Sequence, residues 1–256
     1  MQETIESNQA VIDAAGLPYR ELNNRLRAGI AAGATRIRLA NVNGQRYICC
    51  GFSVERAIEV VIDGVPGNDL AAFMNGPITI RVLGNAQDGV ANTMNDGKIL
   101  IEGDAGDALG YSMRGGRLFI RGNAGYRVGI HVKAYQERAA TVVVGGSAQD
   151  FFGEYMAGGI MAILGLRRKP GQPIIGNFLA TGMHGGQIFI REHIDPRIIG
   201  KEVSIFELED ADWTKLRALI DEFAADFGED LSSLKKEEFV KLEPVSARPY
   251  GRLYAY

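Results

Sequence analysis

The stretch GDAGDALGYSMRGGRLFIR, residues 103–121, is one copy of a unit that recurs along the chain. The preceding copy, GNAQDGVANTMNDGKILIE, starts at Gly84, and the following one, GNAGYRVGIHV, at Gly122, so the first glycine returns every 19 residues. A later copy, GSAQDFFGEYMAGGIMAIL, begins at Gly146 and is followed by Gly165, again 19 residues on. GNFLATGMHGGQIFIR from Gly176 and a looser first copy, GVPGNDLAAFMNGPITIR from Gly64, complete an array lying between Ile58 and Ile194.

The columns of this repeat have physical content. Met74, Met94, Met113, Met156 and Met183 share one slot, which takes five of the seven methionines. Glycines follow two or three residues later, at Gly97, Gly115-Gly116, Gly158-Gly159 and Gly185-Gly186. A short alternating stretch comes next, with inward pairs Ile78/Ile80, Ile99/Ile101, Leu118/Ile120, Val142/Val144, Met161/Ile163 and Ile188/Ile190. Polar Lys98, Arg117, Arg121, Gln187 and Arg191 lie around them, the period-2 signature of a strand with one buried face.

Nineteen residues are too few for a helix, a strand and their connections, but they suit one turn of a solenoid with sharp glycine corners. Gly84, Gly97, Gly103, Gly116, Gly122, Gly146, Gly159, Gly165 and Gly186 are expected at those corners. A meander of hairpins is the alternative, but it needs tight two-residue turns and alternating strand direction, which an in-register unit does not offer. The expected fold is an all-β core, a right-handed single-stranded parallel β-helix of six coils over residues 58–194.

The flanks are expected to cap its open ends. Residues 1–57 predict an N-terminal α/β cap: a helix over Tyr19–Ala32, with Leu22, Leu26 and Ile30 four apart, then a hairpin of Arg36–Leu39 and Gln45–Cys50 about Asn43-Gly44. Residues 195–256 predict a helical extension. Trp213, Leu216, Leu219, Ile220, Phe223 and Phe227 form a stripe that starts after Asp210 or Asp212 and stops at Gly228. A second short helix is expected over Leu231–Val240, and the tail's Tyr250, Tyr254 and Tyr256 suggest docking on this chain or on a partner.

Glycine makes up 33 of 256 residues, about 13% against a usual ~7%, and eight prolines without a three-residue period exclude collagen. A net charge of −3 and no basic run beyond Arg167–Lys169 argue against a nucleic-acid partner. No apolar stretch approaches the ~20 residues of a membrane span, and the polar start MQETIESNQA is unlike a secretory signal. Cys49 and Cys50, being adjacent, do not pair readily and lack redox or cluster spacing. A cytoplasmic chain is the expectation.

His131, His184 and His193 show no metal-ligand spacing, and the recurring glycines are not followed by the helix a phosphate loop requires. The acidic column Asp88, Asp107 and Asp150 has two readings. Stacked one coil apart, such carboxylates approach the separation used by a retaining glycosidase, which would make a carbohydrate-active enzyme. At a corner the same side chains bind local backbone, and no row of aromatic sugar platforms accompanies them in the sequence. Insertions at His131–Ala140 and Leu166–Ile174 lengthen two repeats by five and eight residues and map to surface loops.

With Gly103-Asp104-Ala105-Gly106-Asp107 and Gly110, GEYMAGGIMAILG from Gly153 and GMHGGQIFIR from Gly182, the chain resembles the C-terminal GXGXG β-helix domain of the glutamate synthase large subunit in its stand-alone form. The resemblance extends over nearly the whole chain, including NVNGQRYICCGF and RPYG. One of the subunits of formylmethanofuran dehydrogenase and one of those of N-methylglutamate synthase are similar in the same coils. The resemblance implies a non-catalytic scaffold without a cofactor of its own. Its partners would be an amidotransferase module and a synthase module carrying FMN and an iron–sulfur cluster.

Overall fold

The computed structural model describes residues 8–168 and 171–245. Lys169 of the basic loop and the tail tyrosines Tyr250, Tyr254 and Tyr256 lie outside the described residues.

The repeat builds a parallel stack. Strands β3 (Ile58–Val65), β4 (Ile78–Val82), β5 (Lys98–Ile101), β6 (Arg117–Ile120), β7 (Thr141–Val144), β8 (Ala157–Ile163) and β9 (Gly185–Ile190) each pair in parallel with the next, giving about six solenoid turns. Thr79 pairs with Lys98 and Lys98 with Arg117, one partner per repeat. Each strand thereby satisfies its amides on its neighbours. The inner column runs Ile80, Ile99, Leu118, Val142, Met161, Ile188, all fully buried. The first coil sits two residues off the sequence reading, since Val82 rather than Ile78 continues the column of Ile101 and Ile120.

The methionine slot is equally regular inside. Met74, Met94, Met113, Met156 and Met183 are fully buried. Three of the terminal methyls lie over a glycine one coil away: a Cβ on Gly97 would come 2.7 Å from Met74 Cε, one on Gly116 2.7 Å from Met94 Cε, and one on Gly186 2.5 Å from Met156 Cε. The flexible thioether fills the room that the absent side chain leaves.

The stack begins upstream of the repeat. β1 (Gln9–Asp13) and β2 (Arg36–Asn43) pair in parallel with each other, and β2 pairs with β3. The hairpin about Asn43-Gly44 does not form. A two-residue type I′ turn needs both central residues at positive φ, and of this pair only Gly44 has it, at 78°. Gly44 N donates instead to Val65 O of the next coil, at 2.8 Å. Helix α1 (Tyr19–Ala31) lies between β1 and β2 and buries Leu22 and Leu26 in the core.

At the other end β9 is covered by two antiparallel strands, β11 (Val240–Pro244) on β9 and β10 (Val203–Glu207) on β11. The short helix expected over Leu231–Val240 does not form: only a single 3-10 turn, Lys236–Glu238, is helical there, and β11 starts at Val240. Helix α2 (Asp210–Phe227), stopped by left-handed Gly228 at φ 65°, is not an end cap. It lies across the outside of the sheet. Lys215 Nζ reaches Gln187 Oε1 of β9 at 2.5 Å, and Arg81 of β4 donates to Asp226 O at 2.9 Å. Eighteen residues of helix span ~27 Å, a match for the ~24 Å from β4 to β9.

Candidate interaction surface

Three features cover the outside of the solenoid: the face under α2, the asparagine–aspartate corner and a ridge of turns. Under α2, the outward residues Leu100, Phe119, Val143, Ala162 and Phe189 form a second core with Leu216, Ile220, Phe223 and Phe227. Charged pairs border it. Glu222 accepts from Arg117 Nε at 2.7 Å and from Lys98 Nζ at 2.9 Å, and Glu229 from Arg121 Nε at 2.6 Å. Burial alone would raise the Glu222 pKa, but the hydrogen bonds from Arg117 and Lys98 hold it below its ordinary value.

At the corner, Asp88 Oδ1 accepts from Asp107 N at 2.9 Å, Asp107 Oδ1 from Tyr126 N at 2.8 Å, and Asp150 Oδ1 from Asn177 N at 2.7 Å. A neighbouring column repeats the device: Asn85 to Asp104 N, Asp104 to Asn123 N, and Asn123 to Ser147 N. The acceptors reach the next coil rather than the local turn, clamping coil to coil. Glycine makes room for them. A Cβ on Gly103, Gly122 or Gly146 would lie 2.1, 2.3 or 2.4 Å from the oxygen of Asn85, Asp104 or Asn123, and these glycines have no positive φ.

The other glycines singled out in the sequence sit differently. Gly97, Gly116, Gly159 and Gly186 are left-handed at the approach to the strands, Gly165 is left-handed after β8, and Gly84 has only Gly64 O near its missing Cβ, at 3.5 Å. Cys49 is buried, which pushes its thiol up to about 12, far from a reactive thiolate.

The ridge uses an unusual backbone. In each coil, alternate residues take positive φ, such as Asp69, Ala71 and Phe73 at 60°, 58° and 58°, or Phe151, Gly153 and Tyr155 at 66°, 69° and 53°. Inter-coil bonds alternate with them: Asp69 N donates to Asp88 O, Ala71 N back to Ile48 O, and Phe73 N forward to Asn92 O. Held from both neighbours, the backbone sustains left-handed non-glycine residues that would be strained alone. The outward positions carry aromatic rings. Tyr111, Tyr155 and Phe178 are 40%, 40% and 54% exposed. His131 stacks on Tyr155 with ring centroids 5.2 Å apart and meets the edge of Tyr111 at 5.9 Å. Phe151 stacks on Phe178 at 4.8 Å, and the Arg127 guanidinium lies 4.5 Å from the Phe151 centroid while pairing with Glu154.

Sequence periodicity alone did not separate these rings from core, because adjacent Phe152 on the same turn is fully buried. Among the described residues no three His, Cys, Asp or Glu converge as a metal site, and no helix is long and apolar enough to cross a membrane.

The GXGXG motif family model matches residues 28–244. An uncharacterized protein of Methanocaldococcus jannaschii is 44% identical over 253 residues, spanning 96% of each chain. The chloroplastic ferredoxin-dependent glutamate synthase of Spinacia oleracea is 29% identical over 175 residues, which is 65% of this chain but 10% of that protein. The 19-residue coils, the clamped corners and the match over most of its length together place this chain in the GXGXG motif family.

Proposed function

We propose that this chain is a scaffold subunit of a glutamate synthase-type complex. In this role it holds an amidotransferase module and an FMN- and iron–sulfur-containing synthase module at a fixed separation. Ammonia released at one site then reaches the other without loss to water. The family match and the similarity to a ferredoxin-dependent glutamate synthase support this reading. The observation that carries it is the exposed aromatic ridge on a solenoid clamped between coils. Stacked, partly immobilised rings present a large contact area at low entropic cost, as interface anchors do.

The experiment is affinity purification of the tagged full chain from its native host. The expected eluate shows flavin absorbance and forms glutamate from glutamine, whereas the chain stripped of its partners does neither. Flavin bound by the chain alone, or glutamine hydrolysed by it, contradicts the proposal. Recovery of formylmethanofuran dehydrogenase or N-methylglutamate synthase components instead would move the scaffold to that complex.

A further inference from the structure

The two ends of the solenoid are finished differently. Helix α1 packs on the first coils, burying Leu22 and Leu26 fully. Its Asn23 closes the opening turn of the ridge: Oδ1 accepts from Cys49 N at 2.9 Å, and Nδ2 donates to Tyr47 O at 2.9 Å. At the last end no helix does this among the described residues, because α2 lies on the outside of the sheet. There Leu179 N donates to Ile198 O and Gly200 N to Leu179 O, so residues 196–200 form only a partial further turn. The inner column of Met161 and Ile188 continues through Leu242 and stops at Ile205. Leu242 is fully buried, whereas Ile205, Ile198 and Ile199 are half-buried.

β10 carries β11 on one edge, and its other edge has no strand partner among the described residues. Beside it lies an open hollow of about 440 Å³ whose lining includes Ile199, Gly200, Lys201, Val203 and Ile205. A coil end left open exposes apolar surface and unpaired backbone groups, which solenoids cover with a cap. A cavity of about 150 Å³ takes one benzene, so the hollow has room for two aromatic side chains.

The chain itself leads to this hollow. Val245 N donates to Glu202 O at 2.8 Å, which extends the β10–β11 ladder by one rung. The segment that follows, SARPYGRLYAY at residues 246–256, therefore starts beside Lys201 on the rim. Its eleven residues reach up to ~36 Å, twice the ~17 Å length of β10. Arg248-Pro249-Tyr250-Gly251 has proline second and glycine fourth, as a type I turn favours, and Leu253, Tyr254 and Tyr256 follow it.

We propose that residues 246–256 fold back over the last coil as its cap, seating Leu253 and Tyr254 in the hollow against Ile199 and Ile205. This segment is favoured over one from another molecule because its start is already held at the rim. Closure then costs only a short loop, whereas a separate molecule would lose its translational and rotational freedom.

The test needs only the isolated full chain. Hydrogen exchange in β10 and tryptic cleavage after Arg252 are compared between the wild type and Leu253→Ser combined with Tyr254→Ser. The β10 amides of the variant are expected to exchange about tenfold or more faster. Its Tm is expected to fall, and cleavage after Arg252 to quicken. Ile199→Ser, on the receiving side, is expected to quicken the same cleavage, and the tail variant carries the test even where Ile199→Ser folds poorly. Wild-type protection is expected to be independent of protein concentration. Equal β10 exchange in wild type and tail variant overturns the proposal. Protection that grows with concentration also overturns it, since a second copy would then fill the hollow.

Discussion

The sheet face under α2 and the ridge of turns come from the same repeat, yet their outward apolar side chains serve different ends. Phe119 and Phe189 are fully buried, whereas Tyr155 and Phe178 are 40% and 54% exposed. Helix α2 covers the first set, whereas the second is covered only in part, by the stacked rings of His131 and Phe151. An outward ring on a solenoid is therefore a stability element where a helix lies over it, and under the proposed function a recognition element where none does.

The comparison is broken or sharpened by substitutions, beginning with the largest expected effect. Phe223→Ala removes the ring that packs on Phe119 with centroids 5.8 Å apart, and should cost about 3–5 kcal/mol in denaturant unfolding. Gly106→Ala should cost about 1–3 kcal/mol, because its Cβ would stand 2.1 Å from Asp88 Oδ1. Adding Asp88→Ala should recover much of that loss, with a coupling of about 1 kcal/mol or more. Asp107→Ala frees the amide of Tyr126 and should cost about 1 kcal/mol. Asp107→Asn retains the acceptor oxygen, as Asn123 does in the adjacent column, and should be close to neutral. Polysaccharide cleavage that Asp107→Asn abolishes would instead favour the catalytic reading of this column.

Smaller effects follow at the border of the covered face. Glu222 is held below its ordinary value of 4.5. Its carboxylate thus contributes stability above that pH, and the contribution fades as pH falls through the lowered value. With 29% of the side chain exposed, solvent screening keeps this below ~1 kcal/mol. Urea midpoints of wild type and Glu222→Gln should converge on acidification. Smallest of all, Tyr155→Ala should change stability by no more than about 0.5 kcal/mol, since the ring is a surface group. A loss as large as that of Phe223→Ala would erase the distinction between the two regions.

The coils were legible in the sequence because glycine, methionine and alternating aliphatic residues repeat in register. The sequence points to a start of α2 after Asp210 or Asp212, whereas the helix begins at Asp210 with Glu209 as its cap; its C-terminal end was legible from Gly228. Its place was not, although KILI, RLFI and TVVV are apolar at outward positions too, the pattern of a strand buried on both faces. The Asn43-Gly44 signal misled because local turn preference yielded to parallel pairing of β2 with β3. The left-handed ridge was hidden because Asp69, Ala71 and Phe73 occupy it as readily as glycine, held by bonds to residues about one coil away. The aspartate column was visible, but its partner amides lie 19 residues on, beyond any local turn rule.

The most direct test of the scaffold account is to repeat the native purification with Tyr155→Ser combined with Phe178→Ser. The account predicts a chain with wild-type Tm that no longer brings down flavin or glutamine-dependent glutamate formation. Retention of both activities by that variant would contradict it.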